Sequence, residues 1–191
     1  MKPELYIFAK RPGMGVAKTR LARDIGPTHA LRLNRAMTAQ LMRGVRDSRW
    51  ETILYVTPEK ALGTVPAWEG FPQRPQPQGS LSPRLAEVFS GTKRPVIVIG
   101  TDCPQIRAAD IADALEALRQ APFVFGPAAD GGFWLMAAMA PLRPDVFDAV
   151  RWSTEHTLSD LEARLKAPVH KLRTLTDVDD LNGLKAWKAE H

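Results

Sequence analysis

The sequence predicts an α/β protein, a three-layer α/β/α sandwich in which helices cover both faces of a mixed, mostly parallel sheet. Short apolar runs typical of strands alternate along the chain with amphipathic runs typical of helices. One of these runs, PVIVIG (95–100), has no polar alternation, as expected of a strand covered on both faces. The chain has 191 residues, which suits a single domain, and we expect residues 1–191 to form it.

The first part of the chain predicts a strand on either side of a long helix. LYIFA (5–9) is continuously apolar and indicates a buried strand, and TILYVT (52–57) indicates a second one. Between them, apolar residues recur near the 3.6-residue period over 28–47, which predicts a helix with Thr28 as its N-cap. The proline-rich segment 58–79 argues against regular structure, apart from a short edge strand.

The middle of the chain continues the alternation of helices and strands. SPRLAEVF (82–89) indicates a helix with Ser82 as its N-cap. The buried strand 95–100 leads into a predicted helix over 107–121, and FVFG (123–126) indicates the next strand.

The last part of the chain predicts two more strands and two more helices. FWLMAAM (133–139) indicates a strand, and 154–167 has the pattern of an amphipathic helix. VHKLRTL (169–175) alternates as a strand does, and a helix is expected over 179–190. Ligands of open α/β sheets bind beyond the carboxyl ends of the strands, so the functional residues are expected in the loops that follow strands.

Composition excludes several classes of function. Lys and Arg (26) exceed Asp and Glu (21) by five, an excess that suits an anionic small molecule, and no Lys/Arg-rich run indicates a nucleic-acid surface. The single cysteine, Cys103, excludes an internal disulfide and a cysteine cluster for zinc or iron–sulfur ligation. No signal-peptide pattern is present, and the longest apolar stretch, 133–140, is too short to cross a bilayer. We therefore expect a cytoplasmic protein with no membrane partner.

The loop after the first strand contains GMGVAKT, which is similar to a phosphate-binding P-loop. The P-loop pattern fails, because Ala17 occupies the place of the second glycine. The loop still combines a flexible backbone with several cations: Lys10, Arg11, Gly13, Gly15, Lys18 and Arg20. Lysine as a point charge and arginine as a planar fork suit a diphosphate, which makes these residues candidates for nucleotide phosphate binding. The alternative is a solvated basic turn.

A second loop, GTDCPQI (100–106), places Asp102 directly after the buried strand. Because Mg²⁺ is usually held by one or two carboxylates, Asp102 is a candidate metal ligand that would bridge to substrate phosphates. Asp102 is too far from the helix expected near Ala108 to cap it. No adjacent histidine is evident to activate Cys103, which we interpret as a packed residue and not a nucleophile.

Three acids, Asp177, Asp179 and Asp180, crowd the junction between the last strand and the last helix. Acids so close together repel one another unless a cation is near. Asp179 is therefore the candidate second metal ligand, and helix capping by one of the three acids is the alternative.

The loop GPAADGGFWLMA (126–137) carries Asp130 at its tip, next to Gly131 and Gly132. The two glycines permit a tight turn or a close approach of the backbone to a ligand. A plain Asp-Gly hairpin turn is the alternative.

Two further stretches offer candidate substrate contacts. In PQGSLSPRL (77–85), Gly79 and Arg84 lie where a loop enters a helix and could contact a base, a ribose or an acceptor. In RWST (151–154), Trp152 and Ser153 could contact substrate, although a helix N-cap with a packed indole is the simpler interpretation.

These motifs together resemble a known family. FAKRPGMGVAKTRLA, QGSLSPRL, IGTDCP, GPAADGGFWL, WST and TDVDDL occur in this order in a small bacterial family of GT-A-like glycosyltransferases associated with radical-SAM proteins or arsenosugar pathways. The family is related to molybdenum-cofactor and 2-phospholactate guanylyltransferase-like nucleotidyltransferases. The chain departs from these relatives in the bulky start of its first loop, Ala9–Pro12, and in Gly183, where relatives often have an acid.

The resemblance implies a GT-A fold of the nucleotide-diphospho-sugar transferase type and a transferase that uses a nucleotide donor. Mg²⁺ or Mn²⁺ on Asp102 and Asp179 would bridge the donor's phosphates, while Lys18 and Arg20 neutralise charge in the transition state. Glycosyl transfer from a nucleotide-sugar to a small-molecule acceptor is the leading hypothesis, with Asp130 as general base. Nucleotidyl transfer, which needs no base because the acceptor phosphate is already ionised, is an alternative. A non-catalytic nucleotide-binding module is a third, and a monomer or small homo-oligomer is expected.

Overall fold

The strands form one mixed sheet in the computed structural model, which describes residues 2–14, 18–91 and 93–189. The seven strands of these described ranges are β1 Glu4–Lys10, β2 Glu51–Thr57, β3 Gln73–Pro75, β4 Val96–Ile99, β5 Phe123–Pro127, β6 Phe133–Ala138 and β7 Val169–Lys171. Their spatial order is β3-β2-β1-β4-β6-β5-β7, and β6 runs antiparallel to both of its neighbours while the other pairs are parallel. The predicted mixed, mostly parallel sheet is confirmed.

The helices assigned within the described residues are α1 Thr19–Ile25, α2 Pro27–Gly44, α3 Leu81–Ser90, α4 Ala108–Ala117, α5 Thr157–Leu165 and α6 Leu181–Ala189. The sequence pattern located all of them except α1, which follows the first loop directly. No helix in the described part of the chain combines the length and the apolarity needed to cross a membrane.

Two predicted N-caps are wrong, and one predicted strand is too long. Helix α2 begins at Pro27, whose fixed φ suits a first helical turn, so Thr28 lies inside the helix. Helix α3 has Ser80 at its N-cap, and the Ser82 hydroxyl instead donates a hydrogen bond to the Phe147 carbonyl at 2.7 Å. Strand β7 ends at Lys171, because it is an edge strand that pairs only along three residues of β5.

Apolar cores lie on both faces of the sheet, as the three-layer prediction requires. On one face α2 and α4 cover a core that includes Ile97 and Ile99, and on the other face α3 and α5 cover a core that includes Val96 and Val98. Burial of β4 on both faces explains why its sequence has no polar alternation. The parallel strands β1, β2 and β4 end at the same edge of the sheet, which brings the loops that follow them together.

Candidate functional site

A cavity of about 360 Å³ opens at the carboxyl edge of the parallel strands. We call it the main cavity. Its lining includes the charged and polar residues Lys10, Gln76, Arg84, Asp102, Asp130 and Asp177. The cations and the amide lie on β1, after β3 and on α3, whereas the carboxylates follow β4, β5 and β7. The cavity therefore divides into a part rich in hydrogen-bond donors and an acidic part.

Lys18 connects two aspartates that are distant in the sequence. Its Nζ donates a hydrogen bond to an oxygen of Asp102 and another, of 2.7 Å, to Oδ1 of Asp179. The Lys18 side chain is 2% exposed, whereas those of Asp102 and Asp179 are 49% and 48% exposed. Burial by itself lowers the pKa of Lys18, but the two carboxylates outweigh it and the pKa is raised. Lys18 is therefore a buried, charged group held between two accessible acids.

Backbone hydrogen bonds tie the segments around this lysine together. The Val178 N–H donates to the Asp102 carbonyl at 3.0 Å, and the Leu21 N–H donates to the Asp179 carbonyl at 3.2 Å. Lys18 itself has a left-handed backbone, with φ 56° and ψ 40°, which residues other than glycine seldom adopt. Strained backbone of this kind persists where the surroundings over-determine it and clusters at functional sites.

The three acids before α6 have three different roles. Asp177 accepts a hydrogen bond from Sγ of Cys103 at 2.9 Å, Asp179 pairs with the lysine, and Asp180 accepts the N–H of Gly183 at 2.9 Å and so caps α6. A Cβ at Gly183 would lie 2.1 Å from the Asp177 carbonyl oxygen. The missing side chain thus lets α6 pack closely against the segment that carries Asp179.

Asp177 is a functional candidate that sequence reasoning left without a role. Its pKa is raised to about 6: burial is the largest cause, the hydrogen bond from Cys103 opposes it, and the nearby charges of Asp130, Asp102 and Asp179 add to it. Cys103 is buried, and its burial raises the pKa of the thiol, which serves here as a donor. The crowding of acids in the sequence was the signal that pointed to this residue.

The Asp130 loop is a hairpin turn that also lines the main cavity. Oδ1 of Asp130 accepts the N–H of Gly132 at 2.9 Å, and the Gly131 N–H donates to the Ala128 carbonyl at 3.2 Å. Gly131 has φ +86°, and a Cβ there would lie 2.3 Å from the backbone oxygen of Glu155. Gly131 is therefore required by close packing of the hairpin against the chain before α5, while Asp130 and Gly132 face the cavity.

The opposite end of the main cavity contains polar atoms without protein partners. Gln76 is 8% exposed; its Nε2 donates to the Tyr55 carbonyl, and its Oε1 has no hydrogen-bond partner among the described residues. Nη2 of Arg84 donates to the Gly79 carbonyl at 2.9 Å, whereas its buried Nε has no partner within the same ranges. Gly79 thus acts by holding Arg84. Sequence reasoning missed Gln76, whose signal was a polar residue directly after an edge strand.

Trp152 and Ser153 also line the main cavity. The indole of Trp152 packs against the core and donates to Oγ of Ser82 at 2.8 Å, as the packed-indole interpretation expects. The N-cap of α5 is His156, so the N-cap part of that interpretation is wrong. Ser153 has φ 60° instead, a second left-handed residue at this site.

Lys10 and Arg11 lie on opposite faces of the sheet. Lys10 lines the main cavity, whereas Arg11 lines a separate cavity between α2 and the 3₁₀ turn Pro66–Trp68, which we call the second cavity. Successive side chains of an extended chain point to opposite sides, and Arg11 continues the β1–β2 ladder through its N–H to the Thr57 carbonyl. The structure therefore does not bring Arg11 and Lys10 together at one cavity.

The remaining candidate residues of the first loop that the structure describes are not found at either cavity. Neither Gly13, in the loop, nor the exposed Arg20, on α1, lines the main cavity or the second cavity. Gly15, the other glycine expected to bind phosphate, lies outside the described residues. Of the loop cations, Lys10 and Lys18 are the ones that the structure places at the main cavity or in contact with its acids.

The acids around Lys18 fit a divalent cation of the magnesium type. Oxygens of Asp102 and Asp179 both contact one nitrogen atom, so they lie close enough together to share an ion, and both side chains are half exposed. Among the described residues, no group of three or more His, Cys, Asp or Glu side chains forms a closed metal site. Two carboxylates with an open remainder match Mg²⁺, which keeps water and substrate phosphates as its other ligands.

The chain matches one protein-family model. Residues 38–154, more than half of its length, match the model described as "Uncharacterized protein conserved in bacteria (DUF2064)". The chain therefore belongs to this bacterial family. A comparison with curated proteins gave no sequence match.

Solved structures share the fold over nearly the whole chain. A candidate nucleotide-diphospho-sugar transferase from Desulfovibrio desulfuricans G20 superposes with a TM-score of 0.86 at 25% identity, covering 98% of this chain and 87% of that one. A cytidylyltransferase from Leptospira borgpetersenii gives 0.66 at 15% identity, covering 99% and 86%. Rv0371c of Mycobacterium tuberculosis H37Rv, crystallised with manganese, gives 0.51 at 16% identity, covering 97% and 96%. The predicted fold of the nucleotide-diphospho-sugar transferase type is confirmed.

Proposed function

We propose that residues 1–191 form one catalytic domain of a metal-dependent transferase with a nucleotide-diphosphate donor. The leading reaction is glycosyl transfer from a nucleotide-sugar to a small-molecule acceptor. The observation that supports it is the meeting of Lys18, Asp102 and Asp179 at the carboxyl edge of the sheet, beside the main cavity. A buried ammonium and two accessible carboxylates can bind a diphosphate and the cation that accompanies it.

The polarity of the main cavity suggests how the donor lies. Lys10 and Arg84 offer cationic donors towards β1 and β3, and the unpartnered Oε1 of Gln76 offers an acceptor there. Donor phosphates near Lys18 would place the nucleoside towards Gln76 and the reacting group towards Asp130. The acceptor would then enter beside Trp152, on the acidic side.

Asp102 and Asp179 are the proposed ligands of Mg²⁺ or Mn²⁺. The ion, when bound, supplies Lewis-acid charge that stabilises the leaving phosphates. Lys18 adds a fixed positive charge in a site from which water is partly excluded, where such charge acts strongly.

Asp130 is the proposed general base of glycosyl transfer, since its carboxylate faces the main cavity near the expected acceptor. One observation favours nucleotidyl transfer as a second candidate. Oδ1 of Asp130 already accepts a hydrogen bond from the Gly132 N–H, so this oxygen is engaged in the turn. An acceptor phosphate needs no base, so the hydrogen-bond donors of the main cavity would suffice to position the reactants of nucleotidyl transfer.

The names of similar structures support a nucleotide donor for both candidate reactions, glycosyl transfer and nucleotidyl transfer. The Desulfovibrio protein is described as a candidate nucleotide-diphospho-sugar transferase, and the Leptospira protein as a cytidylyltransferase. A further neighbour, with a TM-score of 0.59 and 17% identity, was crystallised with CTP.

The test is a turnover assay with two donor panels. The protein is incubated with Mn²⁺ and either nucleotide-sugars or nucleoside triphosphates, and release of nucleoside diphosphate or pyrophosphate is measured. Release of nucleoside diphosphate from one nucleotide-sugar supports glycosyl transfer, and release of pyrophosphate supports nucleotidyl transfer. The variant Asp102→Asn should lack either activity, while Asp113→Asn, on the exposed side of α4, should keep it. Tight binding without turnover of any donor would leave the non-catalytic nucleotide-binding module.

A further inference from the structure

The second cavity, on the other face of the sheet from the main cavity, has the features of a binding site. Its volume is about 350 Å³, close to that of the main cavity. It is lined by Arg11 after β1, by Arg35 and Thr38 on α2, and by the 3₁₀ turn Pro66–Trp68. Trp68 is fully buried in the core and anchors this turn, so that the exposed Pro66 and Ala67 form an apolar floor.

The charges of the second cavity are of one sign. Arg11 and Arg35 are its charged lining residues, and no carboxylate is found among its described lining residues. The main cavity, in contrast, combines cations with several aspartates. The second cavity therefore attracts anions, and it does so next to an apolar surface.

Arg35 has no carboxylate partner on its own helix. Helix α2, Pro27–Gly44, contains no acidic residue, and the neighbour of Arg35 one turn earlier is Arg32, a like charge that destabilises a helix. Arg11 also lacks a carboxylate partner: neither the Arg11 nor the Arg35 guanidinium forms an ion pair with a carboxylate within residues 2–14, 18–91 and 93–189. Two unneutralised arginines at one cavity leave the charge for a ligand to satisfy.

The position of Arg11 is set by the backbone and not by a side-chain partner. Its N–H donates to the Thr57 carbonyl at 2.9 Å, and Pro12 restricts it to an extended conformation. The guanidinium is thus directed to the face where α2 presents Arg35, with Thr38 one turn further along the same side of the helix.

We propose that the second cavity binds a small organic anion, with a phosphate or carboxylate held by Arg11 and Arg35 and an apolar or aromatic body over Pro66 and Ala67. Arginine matches both anionic groups with paired hydrogen bonds, and the apolar floor contributes the free energy of burying the ligand's body. This site is distinct from the proposed donor site, because it lies on the opposite face of the sheet and shares no lining residue with it.

Isothermal titration calorimetry with phenyl phosphate tests the proposal, and inorganic phosphate and phenol serve as half-ligands. Phenyl phosphate should bind more tightly than either half-ligand, and Arg11→Gln and Arg35→Gln should each weaken it by about tenfold or more, the effect of losing a hydrogen bond to a charged group. Arg32→Gln, on the same helix but not at the cavity, is the matched control and should bind normally.

Three outcomes would overturn the proposal. Equal binding of inorganic phosphate and phenyl phosphate would show that the apolar floor contributes nothing. Loss of phenyl phosphate binding in Arg84→Gln, with Arg11→Gln and Arg35→Gln unaffected, would place the ligand in the main cavity. Absence of phenyl phosphate binding by the wild-type protein would contradict the site itself. Arg11 and Arg35 are exposed, so their substitution is not expected to unfold the protein, and a thermal melt checks this.

Discussion

The ammonium nitrogen of Lys18 lies 2.7 Å from a carboxylate oxygen of Asp179, a residue 161 positions further along the chain. The same nitrogen contacts Asp102, 84 positions away. This contact joins the loop after β1, the loop after β4 and the segment before α6. The proposed function, and the first three of the following predictions, depend on it.

Removal of the charge at Lys18 should weaken donor binding and turnover. For Lys18→Met we expect a loss of about 10²–10³-fold in kcat, the usual effect of deleting one preorganised donor that stabilises transition-state charge. Steady-state assays with the donor found in the turnover screen provide the measurement. Lys60→Met, on the exposed 3₁₀ turn Glu59–Ala61, is the control. Unchanged kinetics in Lys18→Met would remove this residue from the site.

Asp102→Asn and Asp179→Asn should each reduce Mn²⁺ affinity. We expect a loss of about 10–100-fold or more, because even the loss of a residue that only hydrogen-bonds to a metal ligand has an effect of that size. Electron paramagnetic resonance of free Mn²⁺ during a titration, with nucleoside diphosphate present, measures the affinity. Asp113→Asn should match the wild-type protein. Wild-type Mn²⁺ affinity in both site variants would exclude these acids as ligands.

Asp130→Asn distinguishes the two proposed reactions. If Asp130 is the general base of glycosyl transfer, turnover should fall by about 10²–10⁴-fold while donor affinity stays largely the same. If the reaction is nucleotidyl transfer, turnover should change little. Rapid-quench kinetics and donor titrations, carried out on the same preparation, separate these results.

Gly131→Ala should destabilise the protein by more than the backbone conformation alone explains. The left-handed backbone at this position costs an alanine about 1–2 kcal/mol. The clash of the new Cβ with Glu155 should add about 1–3 kcal/mol, the usual range for overpacking. Gly63→Ala is a matched control, since Gly63 also has positive φ but has open space around its Cβ position. Urea unfolding should therefore show the larger loss for Gly131→Ala, and equal losses would contradict the close-packing role.

Asp160→Asn should lower stability in a pH-dependent way. Arg151 donates three hydrogen bonds to Asp160, from its backbone N at 3.0 Å, Nε at 2.9 Å and Nη2 at 2.7 Å, and these hold the pKa of the carboxyl below its usual range. A depressed pKa stabilises the fold above the ordinary pKa of aspartate, about 4, and this contribution is lost as the pH falls below it. The Tm of Asp160→Asn should therefore lie below that of the wild-type protein at pH 7, and the two should converge in acid. Asp113→Asn should show no such difference, and a constant gap across the pH range would contradict the assignment.

The fold and much of the candidate site could be predicted from local patterns. Apolar periodicity located the strands and most helices, and the rule that ligands bind after parallel strands indicated which loops to examine. Asp102 and Asp130 lie in the main cavity as expected, because both follow strands that end at that edge or turn beside it. Helix α1 was missed, because a seven-residue helix next to a glycine-rich loop has too short a pattern to be recognised.

The sequence by itself determined the alternation of elements and the chemical types in each loop, since these depend on neighbours along the chain. Only the tertiary structure decided which of those types meet. Lys10 and Arg11 are adjacent and equally basic, yet they line different cavities, because the pleat of an extended chain turns successive side chains to opposite faces. The acids Asp177, Asp179 and Asp180 are chemically identical and nearly adjacent in the sequence. They nevertheless contact, in turn, a thiol, an ammonium and a helix N-terminus, because packing of α6 fixes the direction of each carboxylate.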